Sequence, residues 1–201
     1  MQVKVSSSQF NYTYGNRIHF PYSIALLVSY IKTKEKFSQF KFEKTFVFRN
    51  EEKIEEYVEK CRDSDILLCS CYVWNWEITT LVAKKVKEIN PECLIIFGGP
   101  QVPEILEDFF EKYPFVDIAV HGEGEIIFEN ILSEYLMEKN YFKVKGISTK
   151  DFTTEPQERI KDFDSMPSPY LTNTVLDLVD IVDGYQWIAS WETNRGCPYQ
   201  C

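Results

Sequence analysis

The spacing of apolar residues predicts alternating strands and helices along roughly the first 140 residues. Five short apolar runs have the composition of strands buried in a parallel sheet. They occupy residues 2–6, 42–48, 65–70, 93–99 and 116–120. Each run is followed by a stripe of apolar residues spaced three or four positions apart, which is the pattern of a helix with one buried face. The stripe after the first run consists of Ile24, Leu27, Val28 and Ile31.

The succession of strand–helix units favours one architecture. Parallel strands joined by right-handed crossovers place helices on both faces of an open, doubly wound sheet. We therefore expect an α/β domain with a flavodoxin- or Rossmann-like, five-stranded parallel sheet in the strand order 2-1-3-4-5. The units are too few to close a barrel of eight strands.

The pattern changes after residue 143, and the change predicts three segments. Residues 1–143 form the expected α/β domain. Residues 144–185 combine a short extra strand, "VKGIST", with a linker or strap rich in proline and serine, "DFDSMPSPYLTN". Residues 186–201 begin with "QWIASWET", which has the pattern of the first strand of another domain. We expect that domain to continue beyond residue 201.

Composition and charge narrow the class of protein. The formal net charge of −9 disfavours a nucleic-acid partner. The opening residues lack the pattern of a signal peptide, and no apolar stretch approaches the roughly 20 residues of a membrane span. We expect a cytoplasmic protein with reduced cysteines and no membrane partner. Four cysteines in apolar contexts are expected core residues, namely Cys61, Cys69, Cys71 and Cys93.

The loops expected at the carboxyl ends of the strands form the candidate binding site, because ligands of open α/β sheets bind there. These loops include the polar segment 7–19, the aromatic segment "SCYVWNW", and the glycine-containing segments "GGPQ" and "HGEGE". Glycines let the backbone approach a ligand closely. The candidate residues are Tyr14, Gly15, Ser70, Cys71, Tyr72, Trp74, Gly98, Gly99, Pro100, Gly122, Glu123 and Gly124.

Each of these motifs also has a purely structural explanation. A double glycine after a strand is often only a tight turn, and "GEGE" could be a turn followed by acidic residues that the helix dipole favours. Trp74 and Trp76 could pack locally, and the two histidines, His19 and His121, could be structural. The G-x-G-x-x-G fingerprint is missing after the first strand, and so is a Walker A loop.

The segment "ETNRGCPYQC" contains a Cys-x-x-x-Cys pair, Cys197 and Cys201. In isolation the pair could be a zinc half-site or two unrelated thiols. With Arg-Gly and an expected strand before it, the segment resembles the start of the radical S-adenosylmethionine (SAM) enzymes, whose motif is Cys-x-x-x-Cys-x-x-Cys. The resemblance implies a 4Fe-4S cluster with S-adenosylmethionine on its open iron. Cys197 and Cys201 would be two of its three ligands, and we expect this chain alone to hold no cluster.

The preceding residues resemble the cobalamin-binding domain of a large subfamily of these enzymes. The matching motifs run in the subfamily's order: "FPYSIALLVSYIK", "SCYVWNWE", "IIFGGPQVPE", "VHGEGEIIFENIL" and "DSMPSPYL". The resemblance implies a corrinoid at the carboxyl edge, with its dimethylbenzimidazole tail in a slot that the glycines leave open. The Asp-x-His-x-x-Gly motif of methionine-synthase-like domains is missing, which implies that no protein histidine lies beneath the cobalt.

These resemblances predict the function of a longer protein. We expect the cobalamin-binding part of a radical SAM enzyme, a methyltransferase, that is inactive without its radical SAM domain. A domain that keeps the fold but has lost cobalamin, and serves as a scaffold, is an alternative. A flavodoxin-like regulatory module is a second alternative, which the missing acidic cluster after strand one disfavours. The sequence does not indicate the substrate.

Overall fold

A seven-stranded, mostly parallel sheet forms the centre of the structure, a computed structural model that describes residues 2–104, 107–193 and 195. Its strands, numbered in chain order, are β1 (Val3–Asn11), β3 (Phe40–Phe42), β4 (Phe46–Phe48), β5 (Ile66–Ser70), β6 (Leu94–Gly98), β7 (Ile118–Val120) and β8 (Ile147–Ser148). The order across the sheet is β3-β1-β5-β6-β7-β8, and β4 also pairs with β1. Only the edge pair β7 and β8 is antiparallel. The remaining strands, β2 (Arg17–His19) and β9 (Gln186–Ile188), form a small parallel sheet.

Helices cover both faces of the sheet, as the alternation of apolar runs and helical stripes predicts. They are α1 (Tyr22–Lys32), α2 (Ile54–Lys60), α3 (Trp76–Ile89), α4 (Phe109–Lys112), α5 (Gly124–Leu136) and α6 (Thr174–Asp177). Helices α1 and α5 share one apolar core with the sheet, and α2 and α3 share another. No helix in the described ranges combines the length and hydropathy needed to cross a membrane.

Alternation along the buried strands divides the sheet's side chains between these two cores. In β6, Ile96 faces α1 and α5, whereas Ile95 and Phe97 face α2 and α3. In β5, Leu68 and Cys69 are divided in the same way. Side chains of successive strand residues point to opposite faces. Each face of β5 and β6 is therefore apolar, which explains why these strands are continuous apolar runs.

The sheet differs in detail from the predicted five-stranded sheet of order 2-1-3-4-5, because it contains seven strands. The predicted second strand, 42–48, is two short strands, β3 and β4, which both pair with β1, and the register between β4 and β1 shifts between the pairs Ser8–Phe46 and Asn11–Phe48. The segment "VKGIST" contributes β8 to the antiparallel edge. The helix expected after the run at 93–99 is the four-residue α4, and Ile105 and Leu106 lie outside the described residues.

The prediction of a loop over residues 7–19 is wrong in its first half. Strand β1 continues to Asn11, and its polar residues are buried. They are stable there because they form hydrogen bonds: the hydroxyl of Ser6 lies 2.8 Å from that of Ser64, and the hydroxyl of Ser7 lies 2.8 Å from that of Thr45. Buried polar groups are nearly always paired in this way.

The segment after β8 runs back across α1. Val175 and Leu178, in and next to α6, are buried in the core that α1 and α5 share. The Tyr170 hydroxyl donates to the carbonyl oxygen of Ser190 at 2.7 Å and accepts from its N–H at 2.9 Å. These bonds hold the residues that follow β9 beside the start of α1, at the carboxyl edge of the sheet.

Candidate functional site

A cavity of about 930 Å³ lies at the carboxyl ends of β5, β6 and β7, between the sheet and helices α1 and α5. We call it the main cavity. Its walls come from the sheet, from α1, from the loop that begins α5, and from the segments after β8 and β9. Its lining includes Ser23, Leu68, Ser70, Tyr72, Ile96, Gly98, Gly99, His121, Gly122, Glu123, Gly124, Glu125, Arg159 and Arg195.

The main cavity opens where the sheet's side chains become small. Leu68 and Ile96 fill the space next to α1, but the next residues on the same face are Ser70 and Gly98. A Cβ atom added at Gly98 would meet only the Cβ of Val120, at 3.6 Å. Space therefore remains between these strand ends and α1.

The glycines around the main cavity differ in the space available to a side chain. Gly99 has φ +108°, and a Cβ atom there would lie 2.6 Å from the carbonyl oxygen of Cys71, so backbone packing excludes any side chain. Gly122 has φ +80°, but a Cβ atom there would meet nothing within 4 Å. Gly124 begins α5 beside Leu27. Gly99 thus joins two loops, whereas Gly122 leaves open space in the cavity wall.

A second cavity of about 330 Å³ adjoins the first, near the carboxyl end of β1. It is lined by Gln9, Asn11, Tyr12, Tyr14, His19, Phe20, Tyr22, Ser23, Tyr72, Trp74 and Ser190. Ser23 and Tyr72 belong to both cavities, and their hydroxyl oxygens are hydrogen-bonded at 2.8 Å. The two cavities therefore form one continuous region at the carboxyl edge, with a hydroxyl pair at their boundary.

The aromatic wall of the second cavity is held by a buried amide. The rings of Tyr72 and Trp74 are stacked, with centroids 4.4 Å apart. Asn75, fully buried, donates to the carbonyl oxygens of Phe10 and Ser70 and accepts from the N–H of Tyr72 at 2.8 Å. All of its amide bonds go to backbone groups, so this loop has one strongly favoured conformation.

Trp76 has a different role from Trp74. Its ring lies in the core shared with α2 and α3, edge-on to Phe97, and its N–H donates to the Tyr113 hydroxyl at 3.1 Å. Trp74 is 41% exposed and lines the second cavity. Of the two tryptophans in the aromatic segment, only Trp74 is therefore available to a ligand.

The structure brings most of the sequence-predicted residues to this region. Those on the main cavity are Ser70, Tyr72, Gly98, Gly99, Gly122, Glu123 and Gly124. Tyr14, Tyr72 and Trp74 line the second cavity. Gly15, Cys71 and Pro100 line neither: Gly15 is in a turn, Cys71 is buried in the opposite core, and Pro100 is exposed in a turn. Cys197 and Cys201 lie outside the described residues.

Both histidines lie at these cavities, and both belong to segments that the sequence places at the carboxyl edge, 7–19 and "HGEGE". His121, on the main cavity, has its Nε2 atom 2.9 Å from the Ser148 hydroxyl, and burial lowers its pKa. His19, on the second cavity, has its Nδ1 atom 3.1 Å from the Ser190 hydroxyl. Both follow predicted strands or loops of the carboxyl edge, which was the one available signal.

An ion-pair cluster lies beside the main cavity. Arg195 donates to Glu125 at 2.5 Å and to Glu192 at 2.8 Å, and Glu123 lies 3.9 Å away. Burial alone would lower the pKa of Arg195, but the hydrogen bonds with Glu125 and Glu192 outweigh burial and raise the pKa. Sequence spacing could not predict this pairing, since Arg195 and Glu125 are 70 positions apart.

The buried thiols are unsuited to metal binding. Burial raises the pKa of Cys61 to about 11 and that of Cys93 to about 12, and it raises those of Cys69 and Cys71 as well. A cysteine binds a metal ion as its thiolate, which such a high pKa disfavours. Over residues 2–104, 107–193 and 195, His, Cys, Asp and Glu side chains form no group of three or more that could hold a metal ion. The prediction that these four are core cysteines is confirmed.

Comparisons with known proteins point to one cofactor class. Residues 26–132 match the family model for the B12 binding domain. The chain is 40% identical over 162 residues to the 2-(S-pantetheinyl)-carbapenam-3-carboxylate methyltransferase of Streptantibioticus cattleyicolor. It is 39% identical over 155 residues to the cobalamin-dependent radical SAM methyltransferase TokK of Streptomyces tokunonensis. Each match covers 74% of this chain and 23% of the relative, so the chain spans about a quarter of their length.

A solved structure has the same fold. It is that of the cobalamin-dependent S-adenosylmethionine radical enzyme OxsB with aqua-cobalamin bound. The TM-score is 0.64 at 18% sequence identity, over 88% of this chain and 25% of that chain. The likeness shows the architecture of the sheet and helices, and the shared family rests on the sequence match.

Proposed function

This chain belongs to the B12-binding domain family, and we propose that it binds cobalamin at the main and second cavities as part of a radical SAM methyltransferase. The observation that carries the proposal is the continuous, partly aromatic space at the carboxyl edge of a B12-binding fold. The methyltransferase relatives named above support the reaction class. The 201 residues alone are proposed to lack methyltransferase activity.

The residues at this edge fit a corrinoid. Cobalamin combines a broad, largely apolar ring with a long nucleotide tail, and such ligands bind in mostly apolar clefts with a few placed polar groups. The exposed rings of Tyr12, Tyr14 and Trp74 suit a flat ring, and the main cavity suits the tail. Two of its acidic groups have partners, because Arg195 pairs with Glu125 and the Ile160 N–H donates to Glu123 at 2.7 Å.

The chain's own residues hold and orient the bound group in this proposal. Cobalamin supplies methyl-group transfer when it is bound. Tyr72 and Trp74 form a wall that Asn75 keeps in place, and the Arg49 guanidinium donates to the Trp74 carbonyl oxygen and the Tyr12 hydroxyl. Gly98 and Gly122 leave room for the ligand's approach. In this proposal the aromatic wall orients the ligand, and the glycines leave space for it.

In this proposal the radical SAM part of the enzyme begins near the carboxyl-terminal end of the given sequence. We assign the cobalamin-binding unit to residues 1–143, the linker or strap to 144–185, and the beginning of the radical SAM domain to 186–201. Cys197 and Cys201 would be two ligands of a 4Fe-4S cluster that also binds S-adenosylmethionine. The chain's partner is then the radical SAM domain of the same protein, in the cytoplasm.

We further propose that no protein histidine lies beneath the cobalt. His121 and His19 each have a ring nitrogen at a serine hydroxyl, whereas a metal-bound histidine is usually oriented by a carboxylate or a backbone carbonyl. Electron paramagnetic resonance of the cob(II)alamin complex tests this directly. We expect cobalt lines without nitrogen triplet splitting. Triplets that disappear in His19→Ala or His121→Ala would contradict the proposal.

Binding itself is tested by equilibrium dialysis of the chain against hydroxocobalamin, followed by gel filtration with detection of visible absorbance. We expect one cobalamin per chain. Trp74→Ala should weaken binding about tenfold through the lost ring contact. Phe142→Ala is the matched control, since Phe142 is a 67% exposed aromatic residue outside both cavities. A wild-type chain that retains no cobalamin would favour the scaffold alternative.

A further inference from the structure

Arg195 is attached to the wall of the main cavity by an ion pair and by packing over an aromatic ring. Its guanidinium donates to Glu125 at 2.5 Å and lies 3.9 Å from Glu123, and it packs over the Phe163 ring at 5.5 Å. Only 13% of the Arg195 side chain is exposed. The Arg195 side chain, two positions before Cys197 in the sequence, is thus bound to the cavity wall and largely shielded from solvent.

The acceptor of this bond is fixed and buried. Glu125 is the second residue of α5, where the helix dipole favours an acid, and only 4% of its side chain is exposed. One carboxylate oxygen holds Arg195, and the other has no hydrogen-bond partner among the described residues. A buried carboxylate without its cationic partner is strongly unfavourable. Glu125 therefore retains Arg195 more firmly than a surface acid would.

The loop before α5 holds a further segment of the chain. Glu123 accepts a hydrogen bond from the N–H of Ile160, at 2.7 Å. Residues 121–125 therefore line the main cavity and also bind Ile160 and Arg195, and Arg195 itself lines the cavity. A ligand that packs against this loop reduces its freedom to move, and that restraint extends to Arg195 through Glu125.

We propose that Arg195 is a positioning residue: occupancy of the main cavity is coupled to the pairing of Arg195 with Glu125, and Arg195 lies two positions before Cys197 in the sequence. The coupling rests on the proposed cobalamin binding. The coupling acts in both directions: a ligand that favours the paired state of Arg195 is itself bound more tightly when that pair can form. In this way a filled cavity holds Arg195 at Glu125.

Trypsin provides the first test, because it cleaves after Arg195 only when that side chain leaves its acceptor. Cleavage of a folded protein follows the population of the open state when opening and closing are fast. In the ligand-free chain, Glu125→Gln should increase the rate of release of residues 196–201, measured by mass spectrometry, about tenfold. Glu192→Gln is the matched control, because Glu192 pairs with the same arginine from within the same segment. It should change the rate by less than about twofold.

Hydroxocobalamin at saturation provides the second test. It should slow cleavage after Arg195 in the wild type and in Glu192→Gln, and it should have little effect in Glu125→Gln. Equal rates for the two variants, or ligand protection that persists in Glu125→Gln, would overturn the proposal. A wild type that binds no hydroxocobalamin in dialysis refutes the proposed function instead. The ligand-free comparison then still tests whether Glu125 holds Arg195.

The reciprocal effect gives a test that does not depend on the fold of Glu125→Gln. Arg195→Gln should weaken hydroxocobalamin binding about three- to tenfold, and Arg195→Lys should restore part of the loss because it keeps the charge. Circular dichroism should show that both variants remain folded at the assay temperature, although Arg195→Gln, which leaves the buried Glu125 without its cationic partner, should unfold at a lower temperature than the wild type and than Arg195→Lys. Unchanged affinity in Arg195→Gln would mean that the pair is only structural.

Discussion

The two faces of the central sheet end in opposite ways at its carboxyl edge. On the face that packs against α2 and α3, aromatic residues fill the interior: Phe97 lies edge-on to Trp76 and to Phe115, at 5.7 and 6.3 Å between ring centroids. On the face that packs against α1 and α5, the strands end in Ser70 and Gly98, and the main cavity begins there. The two faces are one residue apart in sequence, since Phe97 precedes Gly98.

This difference shows how one parallel sheet provides both stability and a ligand site. Alternation sends each residue of a strand to the opposite face from its neighbour. A strand that ends in a large residue followed by a small one therefore closes one face and opens the other. Changes on the closed face should affect folding, and changes on the open face should affect binding.

The largest expected effect comes from opening the closed face. Phe97→Ala should lower the free energy of unfolding by about 3–5 kcal/mol, because Phe97 is fully buried and its removal leaves a cavity. Chemical denaturation measures this loss. Phe97→Leu, which keeps most of the volume, should cost about half as much or less. A loss below roughly 1 kcal/mol in Phe97→Ala would mean that this face is not closed as described.

A smaller effect should separate the adjacent glycines. Gly99→Ala should cost roughly 1–3 kcal/mol of unfolding free energy, because φ is +108° and the new Cβ would collide with the Cys71 carbonyl oxygen. Gly98→Ala is the matched control and should cost less than about 1 kcal/mol, since its Cβ would make one ordinary contact. Equal losses in the two variants would contradict the separate roles of these glycines.

The smallest effect is a pH dependence on the open face. Burial lowers the pKa of His121 below its usual value of about 6.5. Between pH 7.5 and 5.5 the unfolded chain then binds a proton that the native imidazole does not, so stability present at pH 7.5 is lost as pH falls. The wild type should lose more stability over this range than His121→Gln, by up to about 1 kcal/mol. Urea denaturation at both pH values measures the difference, and equal losses would place His121 in contact with water.

The buried strands were predictable because apolar runs bounded by polar residues leave few alternatives. The runs at 65–70 and 93–99 correspond to β5 and β6 within one residue at every end. Strand β1 was predicted too short, because Ser7 and the polar residues after it have a loop composition until partners such as Thr45 are known. Local pattern does not contain such long-range partners.

The site was predictable in outline and not in its contacts. Glycines and aromatic residues after the strands indicated the carboxyl edge, and most of them line the two cavities. The separation of Trp74 from Trp76 depends on which face of α3 and of its preceding loop each occupies. The bond between Arg195 and Glu125 depends on how the last described residues return to α5. Neither follows from spacing along the chain.

The affinity of hydroxocobalamin for Gly98→Leu, compared with Gly98→Ala, tests the central claim most directly. Both variants keep the strand, but the leucine side chain would extend from Gly98 into the main cavity, which begins there. We expect Gly98→Leu to bind at least about tenfold more weakly than the wild type and Gly98→Ala to remain within about threefold, in equilibrium dialysis. Wild-type affinity in Gly98→Leu would show that cobalamin binds elsewhere.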